Sequence, residues 1–508
     1  MAETAKRYNS ILKIIDDRLI PDEGAKKARG EVFTPLNLVR EMLFGIRKGG
    51  KKTDETEIWG INKDGNFFDE DEDNRVGGIP LHIWRDPETK WLDPANGIGN
   101  FTVVAFYMLD YQLGEHGSKE LKGDDNKIKR RRHIIKNMLY MIELNKGNVN
   151  TSRKIFEKIV PGVTPNIVCA NTLEMTDEKL KREFGINQFD VVMGNPPYQP
   201  SQLWEKFIIK GISYLKNSGY IGFVVPTSWT SPTSDAWKKL QDLDIQVINN
   251  ASYLETKYFS KVGSTFSYFL IKNSKPEGKT TIIYNTNEHF NVRLKDIVFL
   301  PRIITIETIS INNKVLSNRL DGQFIRKDMG ANHTKVNSVY KYPFITFIKT
   351  SGEPDIKYHN IQDPRQDKKK VLLFRSGYPN PYYDHGKYGV GDNIHALELK
   401  NKTDEENKIE GENIVKLFKS KLYQYIFHIN KHSAYNLGGL MDMLFRDVSK
   451  FDGFSDDDIN RHFKLTPDEL KTVDKYPPPK RRISKTAKSN QGGGSRKPHR
   501  FTRRKSRS

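Results

Sequence analysis

From Trp91 to about Asn273, short apolar runs alternate with amphipathic stretches along the chain. Five runs read as strands: "KWLDP" (90–94), "LYMIEL" (139–144), "NIVCAN" (166–171), "FDVVMGN" (189–195) and "YIGFVVPTSW" (220–229). Between them, "NFTVVAFYMLDYQL" (100–113), "NKGNVNTSRKIFEKIV" (145–160) and "SQLWEKFIIKGISYLKN" (201–217) carry the three-to-four-residue spacing of helices with one apolar face. Such alternation predicts an α/β fold, with a mostly parallel sheet covered on both faces. Two further runs, "QVINNASYLETKYF" (246–259) and "STFSYFLIKN" (264–273), read as an antiparallel pair at one sheet edge.

The flanks are different in kind. "YNSILKIIDDRLI" (8–20) reads as one amphipathic helix in a lead-in over 1–30. Two charge-dense inserts, 66–75 and 114–132, read as solvated loops, and "PETK" (87–90) as a turn before the first core strand. Beyond about residue 290 the periodicity weakens, and aromatic residues interleave with Lys, Arg and Asn, as in "SGYPNPYYDHGKYG" (376–389). We therefore expect a first domain over 31–285, a second α+β domain over 290–472, and a disordered basic tail over 473–508.

Charge changes the picture mainly at that tail. The 508-residue chain has a formal net charge of +20, and from Lys475 onward it holds 13 Lys or Arg with no Asp or Glu. A solubilising extension, a phosphate-binding arm and a nuclear-type localisation signal all fit such a segment. No run of about 18 apolar residues occurs, so no membrane partner is expected. The first residues lack a basic region followed by an apolar core, so no signal peptide is expected. A single cysteine, Cys169, excludes an internal disulfide framework and a cysteine-based metal cluster. These features suit an intracellular setting: cytoplasmic in a prokaryote, or nuclear or associated with viral factories on the strength of the tail.

The candidate chemistry sits at strand ends. In "WLDPANGIGNF" a strand runs into Asp93 and Pro94, then Gly97 and Gly99, and a helix opens at Asn100. Glycines there let the backbone turn tightly beside a ligand, and the helix start offers unpaired N–H groups. The next strand ends in Glu143, placed either to accept two ribose hydroxyls or to cap the following helix. A third strand ends in Asn171, whose amide could read the edge of an adenine ring. The fourth ends in "GNPPYQ". Consecutive prolines fix φ and remove two donors, which holds the Asn195 side chain and the Pro196 carbonyl rigidly. Two convergent acceptors suit a planar amino group, and Tyr198 can stack on the ring that carries it.

Together, "GEVFTP" (30–35), "DPANGIGNF" (93–101) and "GNPPYQ" (194–199), in that order, resemble the S-adenosylmethionine-dependent DNA adenine-N6 methyltransferases of restriction–modification systems. The resemblance covers roughly residues 28–273. It implies a Rossmann-like seven-stranded methyltransferase sheet with helices on both faces, followed by a C-terminal α+β target recognition domain. It implies S-adenosyl-L-methionine as cofactor, double-stranded DNA as partner, no metal, and room for a separate cognate restriction endonuclease. Carried over by position, Thr34, Pro35, Asp93, Ala95, Gly97, Glu143, Asn171 and Phe207 would hold the cofactor. Asn195, Pro196, Pro197 and Tyr198 would form the catalytic loop, and Phe259 would sandwich the flipped base opposite Tyr198. Phe207 equally reads as helix core. Asn96 and Ile98 stand where Cys and Ser are common in the family, and Asn171 where Asp is usual. The last change removes a charge-assisted hydrogen bond.

Other amino-group methylases, acting on RNA bases or on a protein glutamine, share the Asn-Pro-Pro-Tyr loop. They are usually shorter and lack both GEVFTP and a large C-terminal domain. A cytosine-N4 enzyme more often carries Ser where Asn195 stands. A non-catalytic DNA-binding specificity protein would have no use for the cofactor motifs.

Overall fold

A computed structural model describes residues 34–47, 75–198, 203–231, 234–258, 265–285, 288–316, 332–349, 352–374, 380–391, 394–401, 403–431, 438–441 and 443–476. The lead-in helix expected before residue 30, most of the 66–75 insert, Phe259, and the tail beyond residue 476 lie outside the described residues.

The catalytic candidates sit on one large mixed sheet. Its strands are β1 (Trp91–Asp93), β2 (Leu139–Glu143), β3 (Asn166–Cys169), β4 (Phe189–Gly194), β5 (Leu215–Pro226), β6 (Asp244–Asn249), β7 (Phe266–Lys272), β8 (Thr280–Asn285) and β9 (Glu288–Val292). They lie in the order β9-β8-β6-β7-β5-β4-β1-β2-β3. β1 is parallel to both neighbours, with Leu92 opposite Tyr140 on one side and Val192 on the other. β7 is the reversed strand, antiparallel to β5 and β6. The chain therefore moves outward from β1 toward β3, returns, and continues outward through β4 and β5. That reversal makes a switch point between β1 and β4, where diverging loops leave a crevice at the carboxyl ends of the strands.

Both faces are covered, which is why the central strands carry few polar side chains. On one face lie α1 (Leu36–Phe44), α2 (Asn100–His116) and α3 (Lys146–Ile159), packed with Trp84, Trp91 and Phe106 in one buried cluster. On the other lie α4 (Asp177–Phe184), α5 (Leu203–Ser213) and α6 (Asp235–Leu240), around Leu92, Val192, Phe223 and Trp229. The fold is α/β as expected. The nine strands exceed the seven expected, because a hairpin of β8 and β9 extends the sheet.

Four local expectations change. The run 246–273 does contain an antiparallel pair, β6 and β7, but the pair is interior: β8 lies outside β6 and β9 takes the edge. β8 and β9 are short and partly polar, so they carry little periodic signal. Residues 254–258, read as strand continuation, form a wide helical turn. The helix read over 201–217 ends at Ser213, and Leu215 already opens β5, since the buried Leu215 serves the sheet. The insert at 114–132 is also more than a solvated loop. Arg130 and Arg131 reach back to the buried Asp110 of α2 at 2.8 and 2.7 Å, and Arg130 also donates to the Leu121 and Gly123 carbonyls.

Past the sheet, the described chain mixes helix and strand. β10 (Tyr342–Ile348) pairs with β11 (Pro354–His359), and β12 (Lys370–Phe374) lies between β13 (Tyr382–Asp384) and β14 (Ile394–Glu398). Helices α7 (Ile306–Val315), α8 (Asp404–Lys419), α9 (Lys421–Ile429), α10 (Asp456–His462) and α11 (Pro467–Asp474) enclose a further apolar cluster around Phe418, Tyr423 and Ile426. A buried ion network pins the loops beside β12: Lys370 pairs with Asp384 at 2.6 Å and Arg365 with Asp363 at 2.9 Å. This segment is tied to the sheet side through Asn250, which donates to the Arg302 carbonyl, while Arg302 N–H donates to Ile429 O at 2.8 Å.

Candidate active site

The first half of the site is the turn after β1. Asp93 ends the strand almost fully buried, and its Oδ1 accepts the Ala95 N–H at 3.0 Å. Gly97 (φ 55°) and Gly99 (φ 104°) then take left-handed conformations that a side chain would strain. Gly99 is also close-packed, since an added Cβ would stand 3.1 Å from Ser152 Oγ. The Gly97 N–H donates to Glu143 Oε2 at 2.7 Å, while Glu143 Oε1 accepts the Asn145 N–H at 2.7 Å. Glu143 thus acts first as an internal anchor, fastening the glycine turn to the end of β2. Thr172 Oγ1, at the end of β3, donates to the Pro94 carbonyl and adds the third strand end.

Asn96 explains its departure from the family pattern. Its Oδ1 accepts Thr102 Oγ1 at 2.9 Å, and its Nδ2 donates to Ser152 Oγ at 3.2 Å, so it stitches the turn to α2 and α3. Asn100, overlooked as a site residue although it stands inside DPANGIGNF, donates from Nδ2 to the Thr34 carbonyl at 2.7 Å. That one bond brings Thr34 and Pro35 beside the glycine turn, with α1 starting directly after them.

Three oxygens in this group are buried without a hydrogen-bond partner among the described residues: Asp93 Oδ2, Thr34 Oγ1 and Asn100 Oδ1. Unpaired buried polar atoms are costly and concentrate at functional sites. Burial, with repulsion from Glu143 as a smaller cause, holds the Asp93 carboxyl well above the usual carboxylate range. A cation at Asp93 Oδ2 would remove that cost.

Asn171 and Phe207 flank the turn differently. Asn171 caps a short turn: its Oδ1 accepts Leu173 N–H at 3.2 Å and its Nδ2 donates to Glu174 at 2.7 Å. Phe207 is a buried member of the α5 core, and Ala95, Ala170 and Leu173 pack at the border of the same cluster.

The second half is the loop after β4. Gly194 brings that strand so close to β1 that a Cβ there would stand 2.9 Å from Asp93 Oδ1. Asn195 follows, half-buried, and Pro196 is buried. The Tyr198 hydroxyl turns back on the loop, donating to Asn195 Oδ1, with the Val224 carbonyl at 3.3 Å. Burial pushes that phenol upward, so it remains a donor. The Tyr198 ring lies against Phe266 of β7, centroids 5.3 Å apart. Asn195, Pro196 and Tyr198 are therefore brought together on the β4 side of the switch point. The turn holding Asp93, Ala95 and Gly97, with Glu143, Thr34 and Pro35, lies on the β1 side. A separate cavity of about 780 Å³ opens at the opposite end of the sheet, near Asp244, Thr280 and Phe299, and contains none of these residues.

A family model matches residues 124–266, which include Glu143 and the Asn-Pro-Pro-Tyr loop. They match the Eco57I restriction-modification methylase family. The chain is 25% identical over 315 residues to the type II restriction enzyme and methyltransferase RM.Eco57I of Escherichia coli, covering 50% of this chain and 30% of that protein. It is 24% identical over 357 residues to an uncharacterized adenine-specific methylase of Mycoplasma pneumoniae, covering 54% of this chain and 72% of that one. The chain thus spans under a third of the E. coli relative's length. Among solved structures it is similar to the DrdV–DNA complex, with 13% identity, coverage of 89% and 59%, and a TM-score of 0.46. It is also similar to the M protein of the type I restriction enzyme EcoKI, with 13% identity, coverage of 51% and 49%, and a TM-score of 0.33. The restriction–modification resemblance read from the three motifs agrees with these relatives. No helix among the described residues is long and apolar enough to cross a membrane.

Proposed function

We infer that this chain transfers a methyl group from S-adenosylmethionine to N6 of an adenine flipped out of duplex DNA. One observation carries the reading. The Asn195–Tyr198 loop and the Asp93–Gly99 turn end adjacent strands at the switch point of the sheet, held together at Gly194. The amino-group acceptors Asn195 and Pro196 then follow the strand beside that of Asp93, whose Oδ2 has no hydrogen-bond partner among the described residues.

The residues on the turn fit the cofactor. Asp93 Oδ2 would take its ammonium, Glu143 its ribose hydroxyls, and Thr34 Oγ1 and Asn100 Oδ1 are further unpaired groups for its methionine end. Bound there, the sulfonium supplies an electrophilic methyl group. The chain's own residues hold the acceptor. Asn195 Oδ1 and the Pro196 carbonyl accept the two N6 hydrogens, drawing the nitrogen toward tetrahedral, nucleophilic geometry and leaving its lone pair to point across the crevice. Tyr198 gives up its bond to Asn195 and stacks on the base, with Phe259 as the proposed opposite face. Flipping costs a few kcal/mol, which the stacking and the clamp offset. Positioning and electrostatics carry the rate. The segment beyond residue 290 is proposed to read the sequence in the major groove, and the basic tail to add salt-dependent phosphate contacts.

The test is direct. The full chain is incubated with tritium-labelled S-adenosylmethionine and unmethylated genomic DNA, and the DNA is then digested to nucleosides. Label should appear in N6-methyldeoxyadenosine. Label in N4-methyldeoxycytidine, or none in DNA, refutes the reading.

A further inference from the structure

Glu41 belongs to none of the three motifs, yet four side chains donate hydrogen bonds to its carboxyl. It projects from α1, two turns after Thr34 and Pro35. The hydroxyls of Tyr253, Tyr268 and Tyr258 all donate to it, with Tyr268 at 3.2 Å and Tyr258 at 3.4 Å. Asn249 Nδ2 donates at 3.3 Å and also holds the Tyr253 hydroxyl at 2.6 Å. Asn249 and Tyr268 are buried, so this is an enclosed polar network inside an apolar cluster. Burial raises the Glu41 carboxyl from its ordinary range, and the Tyr253, Tyr268 and Tyr258 hydroxyls and the nearby charge of Lys257 oppose that rise.

A purely structural use of such a network is expensive, because an apolar side chain would fill the space without desolvating a carboxylate. Its geometry suggests what it accomplishes. α1 is fastened at its start to the glycine turn, through Asn100 and the Thr34 carbonyl. Through Glu41 the same helix is fastened to three elements on the other side of the crevice. Asn249 ends β6, Tyr253 immediately precedes the 254–258 turn and Tyr258 ends it, and Tyr268 lies on β7. Tyr268 stands opposite Val224, whose carbonyl faces the Tyr198 hydroxyl, and two residues before it on the same strand face is Phe266, against which Tyr198 packs. One helix thus bridges the methyl-donor side and the floor of the base-stacking side.

We propose that Glu41 is a positioning residue for methyl transfer. Its carboxylate fixes the 253–258 turn and β7 against α1, and so sets the stacking face of Tyr198 at the correct height relative to the donor turn. The proposal rests on the methyl-transfer reading above and deepens it. Hydrogen bonding rather than packing carries the effect. In Glu41→Gln the remaining oxygen can accept from Asn249, Tyr253 and Tyr268, and the amide NH2 can donate to the Tyr258 hydroxyl oxygen, so the rate should stay within about threefold of the parent. Glu41→Leu keeps the bulk and removes every bond, and its label transfer into DNA at saturating cofactor should fall at least about tenfold. Its affinity for S-adenosylmethionine, read by calorimetry, should stay within about twofold, because the donor turn has its own bonds. Tyr258→Phe removes a single tether at the margin of the network and should lower the turnover rate about threefold with an unchanged melting temperature.

The outcomes separate cleanly. A Glu41→Leu protein that binds cofactor and turns over at the parent rate overturns the proposal, as does a loss of cofactor affinity in step with the rate. If Glu41→Leu fails to fold, Tyr258→Phe decides: equal turnover to the parent overturns the role, and a lower one at unchanged melting temperature upholds it. Absence of any DNA methylation by the parent chain refutes the methyl-transfer reading itself and removes the proposal with it. Parent activity together with indifferent variants removes the Glu41 role alone.

Discussion

The two strand ends that face each other across the switch point are built in opposite ways. The turn after β1 is held by a mesh of internal bonds: Glu143 to the Gly97 and Asn145 N–H groups, Asn96 to Thr102 and Ser152, Thr172 to Pro94. What it leaves unpaired are three buried oxygens. The loop after β4 is stiffened by two prolines, and within it Tyr198 folds back onto Asn195. The comparison teaches where each half obtains its precision. The donor side is preorganised by hydrogen bonds and waits for donors. The acceptor side is stiff along its backbone and, on the proposed reading, would exchange the Tyr198–Asn195 bond for one to the base.

That contrast can be broken in order of effect. Asn195→Ala should cost the most, about 100-fold or more in label transfer, since it deletes half of the amino-group clamp. Its affinity for S-adenosylmethionine should be unchanged, and an equal loss of both would erase the distinction between the two ends. Gly194→Ala should injure both ends together. Its Cβ meets Asp93 Oδ1, so stability should fall by about 1–3 kcal/mol, visible as a lower melting temperature, and cofactor binding should weaken as well. Glu143→Gln should act on the donor side alone, weakening cofactor affinity about tenfold by removing charge-assisted bonds of roughly 1.5–3 kcal/mol. Turnover at saturating cofactor should recover most of the parent rate.

The smallest effect sharpens the comparison through protons. The Asp93 carboxyl is raised in the folded chain, so it stays protonated over a window above the ordinary carboxylate range. The stability it contributes is complete below that ordinary range and is lost as pH rises through the raised value. A cofactor ammonium placed at Oδ2 would ionise it and release a proton within that window. Calorimetric titrations in buffers of different ionisation enthalpy should therefore give different heats for the parent and matching heats for Asp93→Asn. Matching heats for the parent would mean that Asp93 is not where the cation sits.

How much of this was legible in the sequence depended on distance along the chain. The β1 turn and the Asn-Pro-Pro-Tyr loop could be read because their residues are contiguous and their backbone chemistry, glycine and proline, leaves a visible signature. The first four core strands appear where their runs place them, because parallel central strands are uniformly apolar. Glu143 carried a double reading, ribose holder or helix cap, and its bonds to Gly97 and Asn145 add a third use that spacing could not disclose. Glu41 was illegible, since its partners lie more than 200 residues away and a lone Glu on an amphipathic helix resembles any solvated one. Arg130 was hidden for the converse reason: inside "KIKRRRH" nothing marks which arginine turns inward toward Asp110. The β8–β9 hairpin escaped because short strands with polar faces have little period-two signal.

That hairpin has a practical consequence. β9 is the outermost strand, and its side chains are largely exposed or half-buried, whereas β8 beneath it carries the buried Ile282 and Ile283. A fragment ended at residue 285, where the sequence alone suggests a domain boundary, would leave β8 as a bare edge with an unpaired row of N–H and C=O groups. Such an edge recruits other strands and aggregates. Any attempt to isolate the half that carries the large sheet should therefore run past Val292, so that the sheet keeps its own cover.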